Sequence, residues 1–376
     1  MKILHLCNKV PFPGRDGSSL AMEALIRLEV KAGHSVHVLA LNTDKHYVHH
    51  PQAHFGSTLE CVKVRISPSL LGFMRQVSHP ASYFASRFDH ASVRNRIQVL
   101  APEVDLVVVD SLFMALYLEC LGGTPWVLRA HNVEHQIWQR ALSQIPFGLK
   151  KIFTAWQTMR LKRWELAIIK SARIWAISFE DSSLLLQLGA AESQTIPCTF
   201  DAFGPWSDSG AKGSGIYHLG ALDWLPNVQG LQWYVEEVHP ISAQEIIVIS
   251  KKWPSQLVRP EKINHLARLE DGFDFESHGI FIAPILSGSG MRVKLLEAMV
   301  RGKAIVTTSI GAAGLKDAPG VLIADRPEEF AEAIRRLVDN TEFRQSQGRA
   351  ARAHALATFA DEVFVNDMRS LAPKRT

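Results

Sequence analysis

Residues 281–301 read FIAPILSGSGMRVKLLEAMVR, and this stretch decides the fold. The opening FIAPI is a short apolar run of the kind that ends a buried strand. Ser287, Gly288, Ser289 and Gly290 follow as a loop of small residues, and a helix opens near Arg292 and runs through LLEAM. Strand, glycine loop and helix in that order present backbone N–H groups and the positive end of a helix to an anion. Arg292 and Lys294 add two formal charges at that end. A cation there is mildly unfavourable for the helix itself, so a bound anion accounts for the pair better than helix stability does. Glu297 lies three residues beyond Lys294. Its carboxylate can accept the two hydroxyls of a ribose or sugar diol, or pair with Arg301 at i,i+4 for a few tenths of a kcal/mol. The residues alone leave both readings open.

Outward from this stretch, strands alternate with helices. At the N-terminus a strand, Ile3 to Leu6, leads through the loop NKVPFPGRDG into a helix, LAMEALIRLEVKA. Ser18 or Ser19 is the expected cap, and Gly33 ends the helix before the strand SVHVLAL. This β-α-β unit carries a glycine-bearing loop at the carboxyl end of its first strand, where open α/β sheets bind ligands. It lacks the GxGxxG pattern, which disfavours a dinucleotide. ECVKVRI, DLVVVD and PWVLRA read as further strands, the second typical of a central parallel position. RAHNVEHQ then places His131 and Asn132 at a strand's carboxyl edge, where the histidine lines the crevice or caps the next helix. IWAIS and FEDSSLLLQLG complete this half.

Between Ala190 and Gly215 the composition shifts to Gly, Ser, Pro and Asp, the mark of a linker. A second α/β series follows, with strands IYHLGAL, EIIVIS, FIAPI, AIVTTS and VLIA and helices LPNVQGLQWYVEEV, KLLEAMVRG and EEFAEAIRRLVDN. Two such series predict two doubly wound, Rossmann-like domains facing each other across a cleft. Their expected limits are 1–203 and 204–356, with a last helix in 357–376 packing back on the first.

Composition excludes several classes. The 376 residues are 47% apolar and 21% charged, a globular balance, and a net charge of +4 does not suggest a nucleic-acid coat. Cys7, Cys61, Cys120 and Cys198 stand far apart, which argues against a disulfide framework and a zinc site. The histidines at 46, 49 and 50 have no carboxylate or cysteine to complete a metal set. No apolar window is long enough to span a bilayer and the first apolar run is too short for a signal peptide, so a cytoplasmic protein is expected. From Lys150 to Arg173 the chain holds seven cations against Glu165, with Trp156 and Trp164. That segment is either a solvated face or one that meets an anionic membrane from its inner side.

Taken together, PILSGSGMRVKLLEAMVRGKAIVTTSIGAAGL, GALDWLPNVQGLQWYVEEV, RAHNVEHQ and SFEDSSLL followed by IPCTFD resemble the GT-B fold glycosyltransferases, specifically family 4. The resemblance covers nearly the whole chain. It implies sugar transfer from a nucleoside diphosphate donor to a glycan or lipid-linked acceptor, as in polysaccharide biosynthesis, with retained configuration and neither cofactor nor metal. The donor would contact Gly17, Gly288, Ser289, Gly290, Met291, Arg292, Lys294, Leu295 and Glu297. Among these Glu297 would bind the ribose, and Arg292 and Lys294 the diphosphate. His131 would stand near the transferred sugar. The chain departs from the wider family where Ser289 replaces a second Glu, where Asp223 and Asn227 follow Gly220 in place of an Arg and a Lys, and where Ser250 replaces a glycine. These departures motivate a second reading, a non-catalytic GT-B subunit binding a partner enzyme or glycan. A nucleotide-sugar epimerase rests on fold alone.

Overall fold

The computed structural model describes residues 1–14, 16–67, 77, 79–201, 207–222, 224–288, 290–315 and 317–370. Ser289 and Asp223 lie outside them. The chain divides into two compact units, Met1–Thr199 with Asp361–Thr376, and Phe200–Ala360.

In the first unit the strands are β1 (Lys2–Cys7), β2 (Ser35–Thr43), β3 (Thr58–Val64), β4 (Leu106–Asp110), β5 (Trp126–Ala130), β6 (Arg173–Ala176) and β7 (Glu192–Thr195). Among the described residues they form one sheet in the order β3-β2-β1-β4-β5-β6-β7, paired in parallel throughout. The principal helices are α1 (Gly17–Lys31), α2 (Ala91–Leu100), α3 (Glu134–Gln144), α4 (Leu149–Ser171) and α5 (Phe179–Gln187). Every residue of β4 is buried, as its unbroken LVVVD run requires of a strand covered on both faces. Side chains alternate between faces: Ile3 and Cys7 enter one core with Met22 and Leu25 of α1, whereas Leu4 and Leu6 enter the other.

In the second unit the strands are β8 (Ile216–Leu219), β9 (Ile246–Ile249), β10 (Ile263–Leu266), β11 (Ile280–Ala283), β12 (Ala304–Thr307) and β13 (Val321–Ile323). Their order is β10-β9-β8-β11-β12-β13, again parallel. Its principal helices are α6 (Leu225–Trp233), α7 (Val293–Val300), α8 (Pro327–Asp339) and α9 (Thr341–Phe359). The chain then breaks at Ala360, and α10 (Asp361–Ser370) belongs to the first unit. Arg27 of α1 clamps α10 there, donating from Nε and Nη2 to the buried Asp361 carboxylate at 2.8 and 3.1 Å.

Several local expectations are corrected. Asp16, not Ser18 or Ser19, caps α1, and Ser19 instead closes a reciprocal capping box with it. Gly17 is consequently the first helical residue and not part of the loop. β7 lies inside the stretch read as linker, because ESQT is short, polar and half-exposed at a sheet edge. The segment between EIIVIS and FIAPI, for which no strand was expected, contains the strand β10. The basic helix ends at Ser171, and Arg173 pairs with Glu192 from β6 at 3.0 Å.

Candidate active site

The carboxyl ends of both parallel sheets carry polar side chains. In the second unit, β11 runs into the loop at 284–292. Ser287 Oγ donates to Gln229 Oε1 of α6 at 3.1 Å. Thr308 after β12 donates to the Ile285 carbonyl, and Thr307 to that of Ala283 at 2.7 Å. α6 crosses so closely that a Cβ on Gly230 would stand 1.6 Å from the Pro284 carbonyl oxygen. The loop is therefore clamped from both sides. Gly288 and Gly290 have φ of 120° and 79°, a region in which a Cβ is strained.

α7 starts from this loop with Arg292 as its N-cap residue, and no side chain caps that end. Helix N–H groups and the guanidinium of Arg292 thus sit beside the glycine loop; Arg292 Nη2 reaches the Ser287 carbonyl at 3.4 Å. Met291 and Leu295 are buried. Glu297 pairs with Arg301: Nε and Nη2 approach Oε1 at 3.1 and 3.0 Å. Both contacts fall on Oε1. Arg301 itself lies over the Phe275 ring at 4.2 Å, which holds the pair in place.

His218, which sequence reasoning passed over, belongs to this site. It is buried at the end of β8, and its Nδ1–H donates to the Ile282 carbonyl at 3.0 Å. Burial, aided by nearby Lys294, pushes its pKa down to about 4. The ring is therefore neutral at pH 7, with Nε2 a buried acceptor without a hydrogen-bond partner. The signal was a histidine among the apolar residues of IYHL. Asn227 stands near the same loop, and its amide donates to the Ala221 carbonyl at 2.9 Å.

In the first unit, His131 follows β5 and is 8% exposed, so the strand-edge placement holds but the side chain is nearly buried. Its Nε2–H donates to Asp110 Oδ1 at the end of β4. Asp110 Oδ2 accepts from His5 Nε2 of β1 at 2.9 Å, and His5 Nδ1 donates to Glu29 of α1 at 3.0 Å. Glu29, His5, Asp110 and His131 thus form one buried chain. Burial alone would lower the pKa of His5; the Glu29 carboxylate, Cys7 and Asp110 outweigh it and raise it well above the ordinary value. Burial likewise opposes ionisation of Asp110, yet His131 and His5 hold its carboxyl below the usual range. Sequence reasoning named only His131. The missed signals were His5 inside ILHLC and Glu29 on the spacing Met22, Leu25, Ile26, Glu29, a polar residue on an apolar helix face.

The neighbouring α3 is held by Glu165 of α4, which accepts from the backbone N–H groups of Glu134 and His135, each at 2.8 Å, and from His135 Nδ1 at 2.7 Å. The single acid of the basic segment is thus an internal helix cap. Loss of solvation, then the Glu165 carboxylate, push the Glu134 carboxyl up to about 8. A Cβ on Gly17 would meet nothing within 4 Å, so packing within the chain does not demand a glycine there. No group of three or more His, Cys, Asp or Glu side chains among the described residues is placed to hold a metal ion.

Comparison with known proteins fits this geometry. Residues 213–340, which contain the clamped loop and α7, match the family Glycosyl transferases group 1. Sucrose-phosphate synthase from Thermosynechococcus elongatus superposes with a TM-score of 0.68 at 13% identity, covering 99% of this chain and 98% of that one. The chain has the GT-B fold. Anabaena HepE in complex with UDP-glucose shares that fold at a TM-score of 0.63 and 14% identity, over 98% of both chains. An uncharacterized 44.6 kDa protein in the cps region of Klebsiella pneumoniae is 24% identical over 360 residues, 89% of this chain and 90% of that protein. The GT-B assignment bears out the two parallel-sheet domains expected from the alternating strands and helices.

Proposed function

We propose that the chain is a family 4-like glycosyltransferase that moves a sugar from a nucleoside diphosphate to a glycan or lipid-linked acceptor. The observation that carries this reading is the clamped glycine loop running into the uncapped, cation-bearing end of α7, inside the stretch matched to glycosyl transferases. In the transfer, the bond from the anomeric carbon to the diphosphate oxygen breaks and an acceptor hydroxyl oxygen takes its place, losing its proton. Negative charge grows on the leaving diphosphate. Arg292, Lys294 and the N–H groups of α7 stabilise it there by preorganised electrostatics. Glu297 receives the donor ribose, and Arg301, fixed over Phe275, positions it. The backbone of Gly288 and Gly290, flanked by Ser289 and followed by the buried Met291 and Leu295, shapes the phosphate cradle. The bound UDP-glucose of HepE supports a nucleotide-sugar as the donor class.

On the first unit, His131 acts on the transferred sugar, with its imidazole oriented by Asp110. Glu134, protonated at neutral pH, is a further group able to exchange a proton. Gly17 admits a close ligand approach. Transfer retains the anomeric configuration and needs no metal, since cations of the chain supply the charge.

Thermal unfolding with UDP, GDP, ADP and their sugars tests the donor site, because a ligand at 100 times its Kd adds about 2.7 kcal/mol. Absence of a shift with all of them would overturn the reading. Turnover is expected to survive EDTA and to give a retained product by NMR. Loss in EDTA with rescue by manganese, or an inverted product, would remove those two claims. One observation favours a non-catalytic subunit: Asn227, which stands where the family resemblance leads one to expect a cation, closes on its own loop. Nucleotide binding without release of the diphosphate, whatever the acceptor, would support that alternative.

A further inference from the structure

We infer that the N-terminal half of α4 is a docking surface for an anionic lipid bilayer. At 100° per residue, Leu149, Ile152, Trp156 and Met159 fall within an arc of about 80°. The buried residues Thr154, Gln157, Thr158, Leu161 and Glu165 lie on the opposite side, against the domain. The helix therefore has two apolar-bearing faces, and the second is largely exposed. Leu149 is 87% exposed, Met159 57%, Ile152 55% and Trp156 42%, and Phe147 just before the helix is 91% exposed. Trp156 is not loose. Phe153 meets it edge-on at 6.2 Å, and Arg160, which also donates to the carbonyls of Val77 and His79, lies over its ring at 5.0 Å.

Charge identifies the occupant. From His135 to Trp164 the chain has no Asp or Glu; at the same 100° spacing Arg160 and Arg163 fall on the side of the apolar stripe, and Lys151 and Lys162 flank one edge of it. Glu165, the sole acid of α4, is buried and engaged by His135. Apolar side chains with an aromatic ring, bordered by cations and free of carboxylates, match the boundary between acyl chains and anionic headgroups. A second copy of this chain fits poorly, because a twofold contact through the stripe would set these cations against their own counterparts. The surface deepens the acceptor side of the proposed transfer, since a lipid-linked acceptor resides at such a boundary.

The test uses the full chain with vesicles of phosphatidylcholine, with and without phosphatidylglycerol. Co-sedimentation with the anionic vesicles is expected and should weaken as salt rises. Lys151→Glu with Arg163→Glu should reduce the partition coefficient by more than tenfold, given roughly fivefold per cation near such a surface. Leu149→Ser with Ile152→Ser and Met159→Ser, all more than half exposed, should abolish binding without lowering the thermal midpoint. Equal binding to neutral and anionic vesicles, or full binding by the triple variant, overturns the proposal. So does a dimer in sedimentation velocity that the triple variant dissociates. Vesicle binding does not require sugar transfer: binding without any nucleotide-induced shift would sink the transfer reading alone, and the converse would sink this surface alone.

Discussion

The two parallel sheets hold charge at their carboxyl ends in opposite ways. The first buries it: Glu29, His5 and Asp110 are fully enclosed, His131 nearly so, and each is the partner of the next. The second leaves it reachable: Arg292 and Lys294, half-buried, stand at the start of α7 beside a glycine loop that side-chain hydroxyl contacts hold in shape, and Glu297 pairs with Arg301 further along that helix. The contrast separates two jobs. A buried, mutually paired cluster sets the geometry of one histidine, and removing a member strands the others. A pinned loop with reachable charges preserves a site whose side chains can change with little effect on the fold.

The sharpest way to break this contrast is Asp110→Ala. It leaves His5 and His131 without their shared acceptor, and stranding a buried charge costs about 3–5 kcal/mol. Urea unfolding should show that loss. A cost below about 1 kcal/mol would mean that the chain is not electrostatically coupled.

Glu134 sharpens the contrast from the other side, as a half-buried group kept uncharged. Its carboxyl titrates near 8 in the fold against an ordinary value of 4.5. Between those values the native chain keeps a proton that the unfolded chain has lost. Its contribution therefore lowers stability as pH rises from about 4.5 to 8, then levels off. Glu134→Gln removes this penalty and should gain on the order of 4 kcal/mol at pH 8, with no gain at pH 4. A gain that does not change between the two pH values would show that folding does not shift the Glu134 carboxyl.

The sequence made the second site more legible than the first for a physical reason. Its elements are contiguous: FIAPI, the glycine loop and the helix with Arg292, Lys294 and Glu297 fall within 21 residues, so periodicity and turn chemistry reveal them. The first cluster is assembled from positions 5, 29, 110 and 131, on the interior of one strand, two strand ends and a helix. Nothing local links Glu29 to Asp110; only the sheet order, with β1 between β2 and β4, brings them to one histidine. Polar intrusions in apolar runs were the available clue. β7 and β10 escaped notice because four-residue edge strands of mixed polarity carry little pattern.

The smallest expected effect decides what Glu297 is for. The structure shows the Glu297–Arg301 pair that the bland reading required, yet both guanidinium contacts fall on Oε1, so pairing and ribose binding are compatible. Stability and affinity separate them. For a partly exposed i,i+4 pair the coupling in a double-mutant cycle should be a few tenths of a kcal/mol. If the pair serves only the helix, Glu297→Ala and Arg301→Ala should each cost about that much stability, and neither should change nucleotide affinity. If Glu297 receives the ribose, Glu297→Ala should lower affinity by one to two orders of magnitude, since a hydrogen bond to a charged acceptor contributes about 1.5–3 kcal/mol. Arg301→Ala should then weaken binding by a few-fold, because the carboxylate loses its anchor but keeps its charge. Isothermal titration of the four proteins of the cycle gives both quantities. Unchanged affinity in Glu297→Ala would reduce the pair to a surface ion pair and leave the diphosphate cradle as the whole of the donor site.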